Sequence, residues 1–146
     1  MLRNNSLMKR LFIFICVLIF LLPGCLRHGY KKSICNGYVL YAYATNEDMI
    51  IMHTEKSGSI EIVGPTVFSI GYDKEFIIAK QHPAIYPEKE NRGITNYFII
   101  SLKHPVSWTS QGNATGPLNE KEFREERKKL NISDTLDFTV VFDDVK

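Results

Sequence analysis

Apolar and polar positions along the 146 residues follow three different rhythms. Residues 11–22 (LFIFICVLIFLL) are apolar at all twelve positions, and the run stops at Pro23-Gly24. From Asn36 onward, short β-branched and aromatic runs are separated by turn-forming residues at intervals of eight to ten, the pattern of an all-β region. The third rhythm is helical and covers residues 118–131 (LNEKEFREERKKLN).

The β-type runs fall at residues 37–45, 49–54, 59–63, 66–72, 75–81, 96–103 and 136–142. In the first, Val39, Tyr41 and Tyr43 point one way and Tyr38, Leu40, Ala42 and Ala44 the other. Most of these runs are joined by two to four residues, such as Asp73-Lys74, and connections that short place neighbours antiparallel. In the helical segment Asn119 is the N-cap and Glu122 its reciprocal partner, with Leu118 and Phe123 as the hydrophobic staple. Glu120–Arg124 and Glu125–Lys129 are spaced as favourable i,i+4 pairs, Lys128 and Lys129 complement the helix dipole, and Asn131 suits a left-handed cap. Its apolar face is thin, essentially Phe123 and Leu130, so the helix belongs on the surface. The expected fold is mainly β (α+β): an antiparallel β-meander of about seven strands with one C-terminal surface helix before the last strand.

Twelve apolar residues fall short of the roughly 20 that a spanning helix needs. Preceded by Arg3, Lys9 and Arg10 and followed by turn-forming residues, the run has the three parts of a secretory signal rather than of a buried core helix. Leu22-Pro23-Gly24-Cys25 resembles the lipobox of bacterial lipoproteins, with Pro23 a departure from its usual small or aliphatic residue. The resemblance implies diacylglyceryl transfer to the Cys25 thiol and cleavage between Gly24 and Cys25. It divides the chain into a signal peptide (1–24), a basic tether (25–33) and a single β-rich domain (34–146). The start codon is Met1 or Met8, since a start at Met8 gives the more usual lipoprotein signal length. Arg27, Lys31 and Lys32 would face anionic headgroups or simply solvate a linker. Cys35 is then left unpaired, the alternative being a Cys25–Cys35 disulfide in an oxidising compartment.

Removing the signal changes the charge. The chain carries +2 overall, but residues 25–146 hold 15 Lys+Arg against 16 Asp+Glu. Without the tether's three cations the count is 12 against 16, which speaks against a nucleic-acid partner.

EFIIAKQHP (residues 75–83), NYFIISL (96–102) and GPLNEKEFREERKKLNI (116–132) are similar, in the same order, to pieces of a family of small bacterial lipoproteins of unknown function. The resemblance implies architecture and export and transfers no activity, catalytic residue or cofactor.

The chemistry-bearing residues are scattered. There is no P-loop, GxGxxG, HExxH or GxSxG motif, and no Cys/His spacing of a zinc site. His28, His53, His82 and His104 are far apart, and the acids of the helix read as a solvated face. No catalytic, metal or cofactor residue is expected. The aromatic residues are the best remaining feature: mostly packing, with Tyr41, Tyr43 and Trp108 as the possible partner surface. The expectation is a lipoprotein of the bacterial cell envelope, held outside the cytoplasm by the lipid on Cys25. It acts as a non-enzymatic binding or structural module toward an envelope protein or polymer. The alternative is a small envelope hydrolase or metal-dependent enzyme whose site gathers His82, His104 and acidic residues.

Overall fold

The computed structural model describes residues 29–84, 90–103, 106 and 113–146. The signal segment, Gly24, Cys25, His28, His104 and Trp108 lie outside the described residues.

Asn36 and Gly37 adopt positive φ angles of 44° and 81°, and the Tyr38 N–H donates to the Cys35 carbonyl at 2.7 Å. An Asn-Gly pair tolerates this geometry, which matches the twist of a two-residue hairpin. It joins β1 (Tyr30–Ser33) to β2 (Tyr38–Ala42) in antiparallel register, with Lys31 opposite Tyr41. The tether expected through residue 33 is therefore shorter: its last four residues, 30–33, are a sheet edge. Lysines and a short length are how edge strands avoid further pairing, which also hides them from a hydrophobicity pattern.

β3 (Ile50–Glu55) and β4 (Gly58–Val63) complete the first sheet in the order β1-β2-β3-β4. The second sheet has β5 (Val67–Tyr72), β6 (Phe76–Gln81), β7 (Asn96–Ser101), β8 (Ala114–Leu118) and β9 (Val140–Val141), in the order β8-β7-β6-β5-β9. All pairings are antiparallel. The expected meander is thus two meanders, with β9 returning to the free edge of β5. β8 carries Gly116 and a cis Pro117 and was not an expected strand. Proline lacks the N–H for a second neighbour and is tolerated because β8 is an edge. The run at residues 136–142 keeps only Val140 and Val141 as strand, because Leu136 and Phe138 turn into a separate apolar cluster. Gly71 permits that crossing: a Cβ there would lie 2.0 Å from the Asp137 carbonyl oxygen.

The two sheets share a core of Leu40, Met49, Ile51, Val63, Ile70, Ile77 and Ile100. Alternation along β6 and β7 sends Phe76, Ile78 and Ile99 to the other face. There they meet Phe123 of α1 (Glu120–Lys129), Ile132 and Leu136. The molecule is layered as sheet, sheet, helix. Asn119 accepts from the Glu122 N–H at 3.0 Å, and Glu122 accepts from the Asn119 N–H at 2.9 Å. Asn131 ends the helix with φ 54°. The Glu120–Arg124 pair forms, whereas Lys129 turns to Glu126 at 3.1 Å and Glu125 faces Lys121 at 3.9 Å.

Candidate functional site

A cleft of 410 Å³ opens where α1 crosses the second sheet. Lys80 of β6 and Tyr97 of β7 are register partners on the face that α1 covers, so both point into it. The Lys80 ammonium lies 4.2 Å from the centre of the Phe138 ring and 5.6 Å from that of Tyr97. Tyr97 stacks on Phe123 at 4.8 Å, and Phe123 lies 6.0 Å from Phe138, which makes a three-ring floor.

The rim is charged. Arg124 is held by Glu120, and Arg127 donates to the carbonyls of Ser133 and Leu136 at 2.6 and 2.8 Å. Among the described residues no carboxylate comes within ion-pair distance of Lys80 or Lys128, so two cations of the cleft remain available. Asp134 and Asp137 also line it. Burial and the nearby Glu120 push the Tyr97 hydroxyl above the usual phenol range, with Arg124 opposing, so the group stays a neutral donor. The arrangement fits a ligand that sets an apolar or ring portion on the aromatic floor and a negative group at Lys80.

The second feature is the tyrosine pair of the expected partner surface. Tyr41 and Tyr43 meet edge to face, 4.8 Å apart at 88°, and Tyr43 is 63% exposed.

The remaining candidates serve the fold. His53 points its Nε2 at the Asn36 carbonyl at 3.1 Å and packs edge-on against Tyr38. His82 is buried and stacked on Phe68 at 4.2 Å, with Nδ1 2.7 Å from the Ile94 carbonyl. Its Nε2 has no hydrogen-bond partner among the described residues. His53 lies in β3 of the first sheet and His82 just after β6 of the second, and among the described residues no three His, Cys, Asp or Glu side chains converge. The Asp144 carboxylate accepts from Asn46 at 2.7 Å and its carbonyl from Arg92 at 3.1 Å, which ties the C-terminus to the rest of the domain. Burial and then Asp73 raise the Cys35 thiol above its usual range, which keeps it protonated and a poor nucleophile. A disulfide to Cys25 lies outside the described residues.

The sequence does carry a signal for Lys80. It sits two residues beyond Ile78 in FIIAKQ, on the same strand face as Phe76 and Ile78. A lysine continuing a buried face marks a place where that face opens to solvent.

No curated protein and no solved structure matches the chain. A family model does: the one described as a protein of unknown function (DUF3997) matches residues 35–146, from the β1–β2 turn to the C-terminus. The domain of two antiparallel sheets and one helix therefore belongs to the DUF3997 family.

Proposed function

We propose that this protein is a lipid-anchored module of the bacterial cell envelope, facing outside the cytoplasm, that works by binding rather than by catalysis. Anchoring rests on the apolar run, the Leu22–Cys25 lipobox resemblance and the short distance from Cys25 to the first strand. Binding rests on one observation above the others: Lys80, without an ion-pair partner among the described residues, presents its ammonium over an aromatic floor in an open cleft. The partner class is an envelope protein segment or polymer that carries a carboxylate or phosphate beside an apolar group.

Crosslinking in intact cells tests the binding. A photo-crosslinker at Arg124, on the cleft rim, should capture a discrete envelope partner, and Lys80→Glu should abolish that product at unchanged protein abundance. A product equally strong with Lys80→Glu contradicts the cleft assignment. Turnover of envelope substrates by the purified protein would overturn the non-enzymatic reading.

A further inference from the structure

The chain enters the folded domain beside the tyrosine pair. A Cβ at Gly29 would lie 2.7 Å from the Ala42 carbonyl, 3.4 Å from that of Tyr43 and 3.6 Å from the Tyr41 hydroxyl. Cys25 is four residues earlier, so its Cα lies at most about 14 Å from that of Gly29. Anything attached to Cys25 is therefore held close to this edge of the first sheet.

That edge has the chemistry of a membrane interface. Tyr43 is 63% exposed, the highest fraction of any large hydrophobic residue among those described. Its ring meets Tyr41 edge to face. Tyrosine is favoured at headgroup level, where its ring meets the apolar boundary and its hydroxyl meets water. Lys31 is exposed and lies opposite Tyr41 in the β1–β2 register. Among the described residues neither Lys31 nor Lys32 has an ion-pair partner. The chain beyond residue 33 holds 12 Lys+Arg against 16 Asp+Glu, so an anionic surface repels most of the domain and attracts this edge.

We infer that Tyr41, Tyr43 and Lys31 form a seat for the anionic bilayer surface, which holds the domain in one orientation with the first sheet toward the lipid. This rests on lipid anchoring at Cys25. It gives the tyrosines a partner distinct from that of the Lys80 cleft, which lies beyond the second sheet, under α1.

The test uses the full-length lipidated protein in vesicles of phosphatidylcholine with phosphatidylglycerol. Cys35→Ser removes the competing thiol, and a nitroxide is placed at Ala44→Cys, next to the pair, or at Lys121→Cys on α1 as the distant control. The seat predicts that a water-soluble nickel chelate collides severalfold less often with the label at 44 than with that at 121. Tyr43→Ser combined with Lys31→Glu should erase the difference while the protein still sediments with the vesicles. Equal collision rates at both labels in a protein that does sediment overturn the seat and leave the anchor standing. Failure to sediment overturns the anchor and the seat together. Tyr43 and Lys31 are exposed, and an unchanged melting temperature of the double variant confirms that its fold survives.

Discussion

Asn119 and Glu122 exchange two hydrogen bonds that satisfy N–H groups otherwise orphaned at the start of α1. This part of the structure is readable from four letters, because capping is local and depends on nothing beyond one turn. Asn119→Ala should lower stability by about 1 kcal/mol, measured as the shift of a urea unfolding curve. Cys35 is the opposite case. The sequence presents it as an unpaired cysteine or, alternatively, a disulfide partner, whereas its setting depends on burial and on Asp73 from the turn between β5 and β6. Both causes raise the thiol's pKa, so alkylation by iodoacetamide at pH about 8.5 should be slower than for a free cysteine. Asp73→Asn removes one of the two, lowers the pKa and should quicken the reaction at that pH, read from the mass of the Cys35 peptide. The same sign means that ionising this thiol opposes folding. Its contribution is intact below the unfolded thiol's pKa and is lost as pH rises through the higher folded value.

At the scale of elements, the strands with a buried face were legible and the edges were not. Residues 66–72 and 75–81 are nearly continuous apolar runs, buried on both faces for most of their length, and appear as β5 and β6. β1 and β8 pair on one side only, and their Lys31-Lys32 and Gly116-Pro117 dipeptides are the charges and breakers that edges tolerate. The arrival of α1 on the second sheet could not be read locally either, since it depends on which face of β7 is left uncovered. Phe123 is 4% exposed and stacks on Tyr97, so Phe123→Ala should cost about 3 kcal/mol. Near-zero change in the unfolding midpoint would mean that α1 does not dock through this ring. The cleft follows from the same docking. Lys80, Tyr97 and Phe138 come from three segments, and only Lys80 interrupts an otherwise apolar pattern strongly enough to be noticed.

For the whole molecule, three layers give two surfaces of different chemistry around a shared core. The first sheet carries the Tyr41–Tyr43 pair at the point where the chain enters, the two sheets enclose the shared core between them, and α1 with the second sheet encloses the cationic cleft. Under the proposed function one covalent event would orient both surfaces, lipid attachment at Cys25. Intact-mass and N-terminal peptide analysis of the protein from the membrane fraction of its host tests this most directly. The predicted result is a chain lacking residues 1–24 whose first residue, Cys25, carries a diacylglyceryl thioether, while the Cys25→Ala protein retains its leader. Recovery of a chain that begins elsewhere, or of an unmodified Cys25 at the mature N-terminus, would contradict it.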